Sequence, residues 1–186
     1  VDKFDFRSAI EMAVAAQVSP ASAQLASSHD IGLVSIGATT PGGFNALPSH
    51  WEISSRKSLK NGHLALRSNW SLTGPMHLAE TKEQALEQVL HGIDRWLQPY
   101  RALGLCSDSL SGIELAEALI KNGFAVIGTP ADAISQIERL VHQTGGFGTY
   151  LLPAHNWASA ANTVQSYKIF ANSVAPNFKT ESHSKT

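Results

Sequence analysis

Three short stretches of this 186-residue chain hold side chains able to do chemistry. Thr149 to Leu152 reads as a buried strand, and His155, Asn156 and Trp157 follow it directly. An imidazole that titrates near neutrality can hold or pass a proton, and an indole N–H donates. His155 and Trp157 therefore face a pocket, or the Asn156-Trp157-Ala158 run caps the last helix. A second imidazole, His77, lies near the end of the Trp70 to Leu78 strand pattern. It serves as a hydrogen-bond donor or proton relay, or as a satisfied core residue. The third stretch is Gln17, Val18, Ser19 and Ser22, where a strand ends and a helix opens. Exposed amides and the positive end of the helix dipole can hold a phosphate there, although Ser19 can equally act as a cap. Thr39 and Thr40, followed by Gly42 and Gly43, line a ligand or make a tight turn. Gly128-Thr129-Pro130 resembles a phosphate grip, but helix initiation explains it fully.

The elements positioning these residues follow from periodicity and punctuation. Ile10 to Ala16 predicts a strand, and Ser19-Pro20 starts a helix to about Ser28 with Leu25 and Ala26 inward. Ile31 to Ile36 is a near-continuous apolar run, as in a strand buried on both faces. Phe44 to Gly62 has a loose helical pattern. Thr81 and Gln84 form a capping box for a helix carrying Ala85, Val89, Ile93, Trp96 and Leu97. A loop at Gly104 to Gly112 and a helix at Ile113 to Lys121 interrupt the alternation and read as a lid. Pro130 to Gln143 predicts a helix with Ile134, Ile137, Leu140 and Val141 inward. Ala158 to Val174 predicts another that packs Val164, Tyr167, Phe170 and Ala171.

Four alternations of strand and helix imply parallel strands joined by right-handed crossovers. They fit half of an eight-stranded (β/α) barrel, which takes about 250 residues when complete, or a small doubly wound sheet. In either, ligands bind at the carboxyl ends of the strands.

Composition narrows the partners. The chain is 43% hydrophobic and 16% charged, with a formal charge of -1 and no basic run, so nucleic acid and anionic membrane are not expected. A single cysteine, Cys106, cannot close an intrachain disulfide, and no apolar stretch reaches transmembrane length. The expected location is cytoplasmic. The start at Val1 raises the expectation of a fragment. No dinucleotide glycine fingerprint, no nucleophile elbow and no metal-spaced His pair occurs, so no metal is expected.

Several stretches, taken together, resemble the bacterial luciferase-like flavin-dependent monooxygenases, and within them the limonene-monooxygenase-like group. They are Ala13 to Pro20, Gly32 to Phe44, Gly74 to Thr81, Val126 to Asp132, Thr144 to Trp157, Ser166 to Phe170 and Pro176 to Phe178. They span nearly the whole chain in the family's order and spacing.

The resemblance implies that residues 1–178 form the carboxyl-terminal half of a TIM-type (β/α)8 barrel, followed by a polar tail at 179–186. It implies FMN, reduced and supplied by a flavin reductase, which with dioxygen inserts one oxygen into a small hydrophobic substrate. The cofactor-binding set it points to is Ala16, Gln17, Val18, Ser19, Ser22 and Thr39. His77 and His155 become catalytic candidates, and Trp157 a wall of the substrate pocket. Asn156 stands where relatives commonly have Asp. The family's amino-terminal half, with a reaction-steering His, has no counterpart here, so the chain is expected to be inactive alone and to be homo-oligomeric. A deazaflavin-dependent hydride transferase on the same barrel, and a non-catalytic flavin-binding remnant, remain alternatives.

Overall fold

The computed structural model describes residues 10–102 and 109–178. Cys106, most of the expected lid loop and the tail from Lys179 lie outside the described residues. In chain order the elements are β1 (Ala13–Ala16), α1 (Ala21–Ser28), β2 (Gly32–Ser35), α2 (Pro41–Lys60), β3 (Trp70–Thr73) and β4 (Met76–Leu78). They continue with α3 (Lys82–Val89), α4 (Ile93–Ala102), α5 (Gly112–Lys121), β5 (Val126–Gly128), α6 (Pro130–Thr144), β6 (Thr149–Leu151) and α7 (Ala160–Ile169). None of the described helices is long and apolar enough to cross a membrane.

The chain divides into two compact units, Val1–Gly74 with Leu140–Leu151 and Pro75–Arg139 with Leu152–Thr186. The first holds a four-stranded, wholly parallel sheet in the order β1-β2-β3-β6. Leu33 lies opposite both Val14 and Trp70 in register, and Ser71 opposite Thr149. The core combines Ala16, Leu33, Trp70 and Leu72 of the sheet with Ala23, Ala26, Leu47 and Leu140 of the helices. Trp51 stacks on Trp70 with ring centroids 5.5 Å apart, and the Trp70 indole donates to Ser35 Oγ at 3.0 Å. Arg67 lies 4.1 Å above the Trp51 ring and donates to the carbonyls of Thr144 and Gly146. It thereby satisfies the end of α6 where Gly145 and Gly146 turn at positive φ.

The second unit is built on a two-stranded parallel sheet, β4 with β5, whose residues are buried throughout. Ala85 and Val89 of α3, Ile93 and Leu97 of α4, Leu115 and Leu119 of α5, and Trp157 close around it.

Several expectations change. The predicted strand from Trp70 to Leu78 is two strands. Pro75 offers no N–H to a ladder, and after it β4 pairs with β5, while β3 pairs with β2 and β6. Strand β5, only three residues long, was not predicted because such a run carries no readable period.

The N-cap half of the capping box forms, with Thr81 Oγ1 accepting from the Gln84 amide at 3.2 Å. Its helix breaks between Val89 and Ile93, however. At Gly92 a Cβ would lie 2.0 Å from the Asn156 carbonyl oxygen, so backbone passes against backbone there. Strand β6 is outermost in its sheet and not fully buried, with Leu151 40% exposed. Leu25 and Val141 face outward, because α1 buries Ala23, Ala26 and Ser27, and α6 turns Leu140 inward. Val164 and Tyr167 are also exposed. The last helix buries Ser166 and then passes into a π-helical turn, Phe170–Val174, with Val174 buried.

Candidate functional site

In a parallel sheet all carboxyl ends lie along one edge, and in the first unit the ends of β1 and β2 carry all six cofactor-binding candidates. Ala16 is buried and its carbonyl accepts from the Ile36 amide at 2.8 Å, so it offers backbone only. Gln17, Val18 and Ser19 leave the sheet exposed. Ser19 Oγ accepts from the Ala21 amide at 3.3 Å, and Ser22 sits half-buried in the first turn of α1. No acidic residue occupies that turn, so no carboxylate competes with an anion for its amides.

The β2 end is a compact turn beside this loop. Thr40 Oγ1 donates to the Gly37 carbonyl at 2.8 Å and accepts from the Gly43 amide at 3.1 Å, which caps α2. A Cβ on Gly43 would meet the Gly37 oxygen at 1.9 Å, so only glycine fits. A Cβ on Gly37 would lie 3.4 Å from Gln17 Cα, and one on Gly42 would lie 3.3 Å from Val18 Cγ2. Thr39 is buried with its methyl against Gly74, and the Tyr150 hydroxyl donates to the Gly74 carbonyl at 3.0 Å. The carboxyl ends of β1, β2 and β3 thus meet in one rim.

The second unit gathers the other three candidates. His77, on β4, is fully buried, and its Nε2–H donates to Gln88 Oε1 at 2.8 Å. His155 Nε2–H donates to the Met76 carbonyl at 2.9 Å, while Ser166 Oγ accepts from the Leu78 amide at 2.8 Å. Side chains therefore satisfy the edge of β4 that no strand among the described residues covers. The two imidazole centroids are 6.0 Å apart, and His155 stacks on Trp157 at 4.2 Å. Trp157 in turn meets Trp96 edge-on at 5.3 Å.

Burial is the main cause that lowers the pKa of both histidines, partly opposed by the Gln88 bond at His77 and the Met76 bond at His155. Both rings are therefore neutral near pH 7, with the proton on Nε2. Nδ1 of each ring, and the Trp157 N–H, are buried without a hydrogen-bond partner among the described residues. They form two acceptors and one donor with unused capacity.

Sequence reading missed His50. It belongs to the buried face of α2 together with Gly43 and Leu47, and its Nε2 lies 3.2 Å from the Val18 carbonyl oxygen. The helical spacing made its burial legible, but its partner lies 32 residues away in sequence.

No protein-family profile matches the chain. It is 39% identical over 173 residues to limonene 1,2-monooxygenase of Rhodococcus erythropolis, an alignment covering 91% of this chain and 44% of that protein. It is 30% identical over 147 residues to 3,6-diketocamphane 1,6-monooxygenase of Pseudomonas putida, covering 72% of this chain and 39% of that one. Among solved structures it is similar to the oxygenating constituent of 3,6-diketocamphane monooxygenase from Pseudomonas putida, a type II Baeyer–Villiger monooxygenase in complex with FMN. That match has a TM-score of 0.69 at 28% identity, over 89% of this chain and 48% of that one. The fold is thus one of parallel β/α units, as in half of a luciferase-like barrel. The chain is similar to the luciferase-like flavin-dependent monooxygenases, and it spans about half the length of the curated relatives it matches.

Proposed function

We propose that this chain is part of an FMN-dependent monooxygenase, and that the loop from Ala16 to Ser22, with Thr39, receives the flavin phosphate. One observation carries the reading. The exposed loop at the carboxyl end of β1 carries Ser19 and opens a helix whose first turn holds Ser22 and no acid, and the glycine turn at Gly37–Gly43 lies beside it. Such a donor set, with hydroxyls, orphan first-turn amides and a positive dipole end, fits a phosphate.

When bound, FMN supplies the redox chemistry and the activation of dioxygen. The chain's own share is to bind and orient. Ser19 and Ser22 donate to phosphate, and Thr39 closes the floor of the rim. His77 and His155 hold their protons on Nε2 and offer Nδ1 as acceptors, and Trp157 provides an apolar wall that excludes water. The substrate is small and hydrophobic, in keeping with the limonene and diketocamphane named for the relatives. Dioxygen is the co-substrate, and a flavin reductase supplies the reduced cofactor.

Titration with FMN and with riboflavin, which lacks the phosphate, tests the assignment. The expected result is tighter FMN binding, lost in Ser19→Glu, which places a carboxylate at the phosphate position without touching the core. Equal affinity of the chain for the two flavins sinks the phosphate assignment.

A further inference from the structure

His50 is the one ionisable side chain buried in α2, and nothing about packing a helix requires an imidazole there. Its Nε2 lies 3.2 Å from the Val18 carbonyl oxygen. A carbonyl only accepts, so the ring carries its proton on Nε2 and donates it. The described peptide bonds contain no cis form. In a trans peptide unit the C=O and the following N–H point in opposite directions. Drawing the Val18 carbonyl inward to His50 therefore turns the Ser19 N–H outward, on the side where Ser19 itself is exposed.

Two further neighbours adjoin the same loop. A Cβ on Gly37 would come to 3.4 Å from Gln17 Cα, and one on Gly42 to 3.3 Å from the Val18 side chain, which is itself 53% exposed. A solvent-facing loop without a ligand gains little from three separate contacts on two consecutive residues. A loop that must present amides in a fixed direction gains preorganisation, because the ordering is complete before the ligand arrives.

From this geometry we infer that His50 is a positioning residue of the phosphate loop, aiming the Ser19 amide at the anion through its bond to the Val18 carbonyl. This rests on the phosphate assignment above. His50 itself does not touch the ligand.

The test compares FMN with riboflavin on the 186-residue chain and its variants. His50→Leu removes the donor, and the expected loss is about tenfold in FMN affinity, the worth of one well-placed hydrogen bond, with riboflavin affinity unchanged. His50→Gln places a donor near the original Nε2 and is expected to restore most of the preference. His50→Asn is equally polar but too short to reach Val18, and is expected to behave like His50→Leu. The Gln and Asn pair decides the matter even where the Leu variant fails to fold. Two results overturn the inference: an FMN preference kept in both His50→Leu and His50→Asn, or an equal loss of both flavins. A wild-type chain that does not prefer FMN fails differently, by removing the phosphate assignment before any variant is compared.

Discussion

The imidazole of His155 lies on the indole of Trp157, with centroids 4.2 Å apart and planes 19° apart, while its Nε2–H holds the Met76 carbonyl at 2.9 Å. One side chain thus packs an aromatic face and satisfies a strand edge, and its remaining nitrogen stays bare. Neutrality is a condition of this arrangement. A second proton on Nδ1 would be a buried donor without an acceptor.

Stability should therefore depend on pH in a defined sense. Burial holds the folded-state pKa of His77 and of His155 below the ordinary value of about 6.5. Below about pH 6.5 the unfolded chain binds protons that the folded chain refuses, so stability rises with pH through that window and is complete above it. It is lost as pH falls through the folded-state values. Urea midpoints measured from about pH 8 to about pH 5 should fall toward acid. His77→Gln combined with His155→Gln should flatten the curve. A wild-type midpoint constant over the same range would contradict the buried neutral assignment.

Ser166 accepts from the Leu78 amide at the uncovered edge of β4. Ser166→Ala leaves that buried N–H unsatisfied, at a cost of about 2 kcal/mol in unfolding free energy. A chemical denaturation curve superimposable on wild type would show that another acceptor replaces it.

Two glycines should respond very differently to one methyl group. Gly43→Ala drives a Cβ to 1.9 Å from the Gly37 oxygen, a backbone atom fixed by the Thr40 cap. It should cost about 3 kcal/mol and disturb flavin binding. Gly62→Ala has open space around it and only a φ of 81° to accommodate, which should cost about 1 kcal/mol. Equal thermal shifts for the two would remove the argument for backbone contact at Gly43.

Arg67 joins the end of α6 to the Trp51 and Trp70 stack through its bonds to Thr144 and Gly146 and its place over Trp51. Arg67→Ala should speed amide exchange from Gly145 to Thr149 and cost about 2 kcal/mol. Exchange in that segment should stay at wild-type rates if the guanidinium is merely a surface charge.

The helix cap at Thr81, the parallel succession of strands and the family resemblance were legible because each is written locally, in short-range spacing and short motifs. The loop at Gln17 to Ser19 was legible for the same reason, since a strand pattern that stops before Ser-Pro marks where a sheet hands over to a helix. Burial faces were read less well. Leu25, Val141, Val164 and Tyr167 are apolar in type but outward in place, because hydrophobic type does not say which side of a helix another element covers.

Sequence alone determined that β/α units succeed one another in parallel and that an exposed loop leading into a helix follows the first strand, because propensity, capping and turn chemistry act over a few residues. Only tertiary structure decided that β4 leaves β3 for β5, that Gly92 passes against Asn156, that His155 and Ser166 satisfy the β4 edge, and that His50 reaches Val18. These relationships join residues far apart in sequence. Their partners are chosen by the requirement that every buried polar group be satisfied at close packing, a condition that exists only once the chain has folded.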